Sequence, residues 1–96
     1  MNKYRKEKIK DMALENCSEY ESEVYQCLRN GSWQDRLKMC FDQYNVFWDC
    51  VNKQKTVLES IGYGRPSNSP HIDAQLAEAG YDIVLLERQN ENKSQN

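Results

Sequence analysis

CSEYESEVYQC at residues 17–27 and CFDQYNVFWDC at residues 40–50 each hold two cysteines with nine residues between them. Both stretches read as helix. Ala13, Cys17, Tyr20, Val24 and Cys27 recur at steps of 4, 3, 4 and 3, the spacing of a seam between two helices. Ten residues of helix span roughly 15 Å. A disulfide requires Cα atoms ~4.4–6.8 Å apart, and thiolates sharing one zinc each sit ~2.3 Å from it. The two cysteines of one stretch therefore cannot pair with each other, and each takes a partner from the other stretch.

The partner follows from position. Facing residues of an antiparallel hairpin have a constant sum of numbers, and that sum is 67 both for Cys17 with Cys50 and for Cys27 with Cys40. Two nested bridges close together, Cys27–Cys40 near the turn and Cys17–Cys50 further out. The last of the three connectivities open to four cysteines needs parallel helices, which the short segment between Cys27 and Cys40 does not allow. The expected fold is all-α: an antiparallel helical hairpin stapled by Cys17–Cys50 and Cys27–Cys40.

Working outward, the first helix is expected from about Lys3 to Arg29. Asn30-Gly31 is a stop signal, since Gly31 can take the left-handed conformation past the last turn. Ser32 then caps a second helix running to about Ile61, with Asp35 in its first turn. The seam of that helix is Trp33, Leu37, Cys40, Tyr44, Phe47 and then Cys50 or Val51. Phe41 and Trp48 fall off the seam on a shared stripe. Either the C-terminal segment folds over them, or they form a docking patch for a partner protein.

Residues 62–70, GYGRPSNSP, break the helix, being too rich in Gly and Pro to continue it. Ser69 reads as a cap with Pro70 at the first helical position. Ile72, Leu76, Ala79, Ile83 and Leu86 repeat the 4, 3, 4, 3 spacing, so a C-terminal amphipathic helix is expected to about Arg88. Gly80 costs ~1 kcal/mol there relative to Ala and marks a kink, while residues 89–96 are polar and expected to fray. The chain divides into residues 1–61, the hairpin with its basic leader, and residues 62–96, the linker, amphipathic helix and tail.

Composition limits what else the chain does. With 96 residues, 39% hydrophobic and 29% charged, it buries a thin core and depends on its staples. The net charge of −2 hides an uneven distribution. Lys3, Arg5, Lys6, Lys8 and Lys10 stand against Glu7 alone, and Asp11, Glu15, Glu19, Glu21 and Glu23 follow against Arg29. A nucleic-acid footprint combines clustered cations with stacking aromatics; Tyr4 is the one aromatic in the basic leader, and no nucleic-acid partner is expected. The leader suits peripheral contact with an anionic membrane or an acidic partner. The longest apolar run of the chain, Ile83–Leu86, is far too short for a membrane span. Met1–Lys10 has neither the apolar stretch of a secretory signal nor the Arg- and Ser-rich character of a cleaved presequence.

No catalytic, cofactor or metal site is expected. Cys-x-x-Cys and adjacent cysteines are both absent, which disfavours thiol redox chemistry, zinc and copper delivery. His71 is the one histidine and reads as an exposed first-turn residue. Gly62-Tyr63-Gly64 is too short for a phosphate-binding loop and reads as a turn.

The twin Cys-x9-Cys hairpin, from Ala13 to about Lys55, resembles the coiled-coil-helix-coiled-coil-helix (CHCH) proteins of the mitochondrial intermembrane space. The resemblance implies disulfide-driven retention in that compartment. It also implies transient docking of an import oxidoreductase on an apolar face beside a cysteine: Tyr20 and Val24 before Cys27, or Trp33 and Leu37 before Cys40. The leader Arg5-Lys6-Glu7-Lys8 ahead of Cys17-Ser18-Glu19 looks most like the Cmc-type cytochrome c oxidase assembly proteins. The segment from Asp49 to Thr56 also looks like an accessory subunit of respiratory complex I. The resemblance thus implies a non-enzymatic adaptor in respiratory-chain biogenesis whose partner is a respiratory-complex subunit or another assembly factor. Alternatives are a structural subunit of a respiratory complex or mitochondrial ribosome, and a partner of an intermembrane-space lipid-transfer protein. The expected partner-binding residues are Phe41, Trp48, Ile72, Leu76, Ile83 and Leu86.

Each bridge contributes roughly 3–4 kcal/mol by the loop-entropy estimate, short of full additivity because the loops are nested; a small domain has about that much stability in total. Reduction is therefore expected to abolish the cooperative thermal transition seen by circular dichroism in the oxidised protein. An unchanged transition after reduction would show that the staples are dispensable.

Overall fold

The computed structural model describes residues 3–30 and 33–94, with the side chains of residues 30, 33–39 and 91–94 outside that description. Four helices form: α1 (Lys3–Asn16), α2 (Ser18–Asn30), α3 (Trp33–Ser60) and α4 (Pro70–Ser94). The expected single first helix is interrupted for one residue, at Cys17. Its hydrogen-bond ladder nevertheless crosses the interruption, with Cys17 N donating to Ala13 O at 3.1 Å and Glu21 N to Cys17 O at 3.2 Å. The two segments thus make one arm of the hairpin and α3 the other. The expected turn at Gly31 and Ser32, with Asp35 behind it, lies outside the described residues.

Both bridges have the expected connectivity. Cys17 and Cys50 stand 6.1 Å apart at Cα, and Cys27 and Cys40 stand 5.7 Å apart. The helices are therefore held in register at two levels. Around the outer staple the arms bury Ile9, Ala13, Cys17 and Tyr20 against Phe47, Cys50, Val51 and Leu58. Tyr44, expected in the seam, is 49% exposed instead. The buried line on α3 passes from Cys40 to Phe47, leaving Tyr44 at the edge with its ring against Trp48.

Helix α3 ends where Gly62 enters the left-handed region, at φ 91°. Tyr63 N donates to Leu58 O at 2.9 Å and Gly62 N to Glu59 O at 3.3 Å, the paired bonds of a Schellman cap. Tyr63 and Leu58 both join the core, supplying the apolar contact that goes with this cap. Arg5 reaches across from α1 and donates to Glu59 O and Tyr63 O, at 2.8 and 3.0 Å. The start of α4 is as expected: Pro70 is its first residue, and Ser69 Oγ accepts from Ile72 N at 3.2 Å.

Helix α4 lies in the groove between the two arms, running alongside α1 and α2 and antiparallel to α3. Asp73 meets Lys8, Ala77 meets Asn16, and Arg88 meets Glu23, so the numbers rise together along α4 and the first arm. Its buried line is Asp73, Ala77, Gly80 and Val84, one residue removed from the expected stripe. Ile72, Ile83 and Leu86 consequently remain exposed, while Leu76 packs half-buried against the core. A buried polar pin sets this rotation. Asn16 Nδ2 donates to Gln54 Oε1 at 3.0 Å and to Ala77 O at 3.2 Å, and Gln54 Nε2 donates to Gly80 O at 2.9 Å. Buried amides left without partners would cost about 1–3 kcal/mol each, so α4 must present those carbonyls here.

Gly80 lies within unbroken helix in α4. It is the point of closest approach. A Cβ there would stand 3.0 Å from Gln54 Oε1, 3.0 Å from Leu58 Cδ2 and 3.3 Å from Asn16 Nδ2. The helix also continues past Arg88 to Ser94; residues 89–94 hold no Gly or Pro to stop it, and their Gln, Glu and Lys are good helix formers.

Gly80→Ala sets about 1 kcal/mol of gained helix propensity against overpacking that typically costs ~1–3 kcal/mol. Since Gln54 and Leu58 are both buried, overpacking should prevail and lower Tm by several degrees (roughly 1 kcal/mol,). A higher Tm on thermal denaturation of the oxidised variant would refute the close approach.

Candidate partner-binding site

The hairpin has two long grooves, and α4 fills one. Helical position assigns the opposite side to Val24 and Leu28 on α2 and to Phe41, Tyr44 and Trp48 on α3, where steps of 3 and 4 keep residues on one face. The inner staple Cys27–Cys40 lies between these two lines and fixes them side by side. Phe41 is 62% exposed and Leu28 44%. Trp48 is half-buried, tilted against Phe47 with ring centroids 5.2 Å apart and meeting Tyr44 edge-on at 6.0 Å. Phe47 thus anchors a short aromatic ladder whose outer members are open. The Trp48 indole N–H is buried with no acceptor among the described residues.

Of the two readings of Phe41 and Trp48, a cover formed by the C-terminal segment does not describe Phe41, which stays exposed. The hydrogen bonds and ion pairs that α4 makes with the two arms go, among the described residues, to Lys8, Asn16, Glu19, Glu23, Lys53 and Gln54, on the other side of the hairpin. Ile72, Ile83 and Leu86 form a separate exposed line on the outside of α4, so five of the six expected partner-binding residues divide between two faces while Leu76 packs against the core. Spacing alone revealed the lines; the buried polar pin that separates them gave no apolar signal.

Of the residues expected to meet an import oxidoreductase, Tyr20 and Val24 have packing roles in the folded chain. Tyr20 is buried beneath the Arg88 guanidinium, 4.6 Å from its ring centroid, and Val24 is half-buried at the core edge. Trp33 and Leu37 lie in α3, with their side chains outside the described residues. Among the described residues, no three His, Cys, Asp or Glu side chains come together as metal ligands, and no helix is long and apolar enough to cross a membrane.

Two polar clamps hold α4 in place. At its far end Arg88 pairs with Glu19 at 3.2 Å and Glu23 at 2.8 Å, while the Tyr81 hydroxyl donates to Glu19. At its near end Asp73 accepts from Lys8 Nζ at 2.7 Å, Asn68 Nδ2 at 2.9 Å and Gly64 N at 3.0 Å. Burial by itself would raise the Asp73 carboxyl, but the bonds from Lys8, Asn68 and Gly64 outweigh it and hold the pKa below its ordinary value. The hydrogen bond to Asp73 raises the Lys8 ammonium above its own, against a smaller opposing effect of burial.

Compared with protein-family models, curated proteins and solved structures, the chain shows no match. What stands is the arrangement itself: the twin Cys-x9-Cys pattern realised as a helical hairpin with two nested disulfides.

Because the Asp73 pKa is lowered in the folded state, its contribution to stability is complete above the unfolded value near pH 4 and is lost as pH falls through the folded value. The raised Lys8 pKa places the alkaline loss above about pH 10. Asp73→Asn should therefore lower Tm at neutral pH and flatten the fall in stability below about pH 4. Parallel acid limbs for the two proteins in urea titrations would show that Asp73 does not carry this dependence.

Proposed function

We propose that the chain is a non-enzymatic adaptor of the mitochondrial intermembrane space that acts in respiratory-chain biogenesis, most specifically in cytochrome c oxidase assembly. The nested pair of staples carries this reading. Such bridges persist in oxidising surroundings, and their twin nine-residue spacing resembles that of the CHCH proteins retained in that compartment by oxidation. Import would follow the same chemistry: Tyr20 and Val24, or Trp33 and Leu37, are offered to the oxidoreductase before the hairpin closes, and Tyr20 and Val24 become packing residues afterwards.

The adaptor works by binding. The staples prepay the ordering of the two arms, so little conformational entropy is lost when a partner docks. The partner, a maturing oxidase subunit or another assembly factor, takes the face of Phe41, Tyr44 and Trp48. Aromatic side chains often dominate such contacts. A structural accessory subunit is the second reading, favoured by the separate exposed line of Ile72, Ile83 and Leu86, since a chain embedded in a large assembly would be covered on both sides.

Native-gel migration of the tagged protein from gently solubilised mitochondria, with mass spectrometry of each band, distinguishes the two. The adaptor should appear in small, sub-stoichiometric species with unassembled oxidase subunits; one copy per mature complex would contradict it. Phe41→Ala tests the face, because this exposed ring contributes little to folding. It should leave Tm within about 2–4 °C (a surface change within ~0.5 kcal/mol,) while partner recovery falls at least tenfold, the loss typical of a binding hot spot. Undiminished recovery would remove Phe41 from the surface.

A further inference from the structure

The open end of the hairpin, away from the aromatic face, gathers cations in an unusual way. The first turns of α1 and the loop between α3 and α4 enclose an open pocket of about 360 Å³, with Arg5, Lys8 and Arg65 on its walls beside the Gly64 backbone and Asn68, and no carboxylate lining it. The acid nearest this group is Asp73, whose side chain is only 9% exposed. It already accepts from Lys8, Asn68 and Gly64, so its charge is directed inward. With Lys8 paired to Asp73, Arg5 and Arg65 still leave the pocket a net positive charge among the described residues.

Two of the three cations are already positioned. Arg5 is clamped by its bonds to Glu59 O and Tyr63 O, which use two of the five guanidinium N–H groups and leave three. Lys8 is held by Asp73 through one bond while its side chain remains 53% exposed, leaving two donors. Arg65 is exposed and its side chain has no hydrogen bond or ion pair among the described residues, so its whole fork is available. Gly64 sits at φ +79° on the pocket wall, a backbone conformation that L side chains rarely adopt.

We propose that this pocket binds a phosphate group. Three cations on the walls of one pocket suit a tetrahedral oxyanion, with the arginine forks fitted to bidentate contact and the lysine acting as a point charge. A bound phosphate also relieves the repulsion between the cations, and the ordering cost at Arg5 and Lys8 is met before it arrives. The phosphate comes from an anionic phospholipid headgroup or from a small soluble phosphate. Tyr4, 82% exposed at the same end, provides an amphipathic ring of the kind found at membrane interfaces. The inference is independent of the adaptor reading and survives or fails separately from it.

The test uses the oxidised full chain and two probes. One is sedimentation with vesicles of phosphatidylcholine and phosphatidylglycerol, against phosphatidylcholine alone; the other is an NMR titration with inorganic phosphate followed at the Gly64 and Asn68 signals. Arg65→Gln is compared with Lys55→Gln, which removes the same charge from a different pocket shared with Lys6 and Lys10. Arg65 is exposed and Lys55 half-buried, and unchanged Tm values confirm that both variants fold. Arg65→Gln should weaken anionic-vesicle binding roughly fivefold or more, the effect of one cation at an anionic surface, and Lys55→Gln clearly less. Shifts with inorganic phosphate that vanish in Arg65→Gln would identify the phosphate group itself as sufficient; Arg65-dependent binding confined to vesicles would assign the site to a lipid headgroup. Equal losses in the two variants, or no binding to either probe, would overturn the proposal.

Discussion

Everything in this molecule depends on the register between its two arms, and two covalent bonds set that register. One bridge would leave the arms free to rotate about it; two nested bridges at matching separations fix both axial position and facing sides. The thin apolar core can then consist of one residue per turn from each arm, because it does not also have to select the pairing. The same restraint keeps Leu28, Phe41 and Tyr44 neighbours at the surface without any cover, so the feature that stabilises the hairpin also prepares its binding face.

Helix α4 obeys different physics. Its outer stripe is more apolar than the face it buries, an inversion that hydrophobic burial alone would not produce at ~25 cal/mol per Å². Polar satisfaction decides the matter. Asn16 and Gln54 are committed to the interior by the arms, and their amides need the carbonyls of Ala77 and Gly80. Asp73 is drawn to Lys8 and the loop amides in the same rotation. An apolar line is left facing outward as a consequence, which gives a second surface for contact with other molecules.

The hairpin was legible in the sequence because disulfide geometry is strict: a separation of ten on a helix permits few pairings, and the constant sum of 67 selects one. The Gly62 break and the Ser69 cap were legible for a similar reason, since backbone constraints at Gly, Ser and Pro are local. The rotation of α4 was not. Ile72, Leu76, Ile83 and Leu86 carry the periodic signal, whereas the residues that dock the helix are an acid, an alanine and a glycine, paired with polar groups 26 to 65 positions away. Gly80 has two opposite readings, a weak point in the helix or a contact point, and only the tertiary neighbours distinguish them. The basic leader likewise reads as a solvated helix start until Arg65 is brought to it by the fold.

Disulfide mapping of the oxidised protein, by proteolysis without reduction and mass spectrometry of the linked peptides, tests the central claim most directly. The account predicts the Cys17–Cys50 and Cys27–Cys40 peptides and no others. Recovery of Cys17–Cys27 with Cys40–Cys50, or of Cys17–Cys40 with Cys27–Cys50, would contradict the register on which the core, the aromatic face and the seat of α4 all depend.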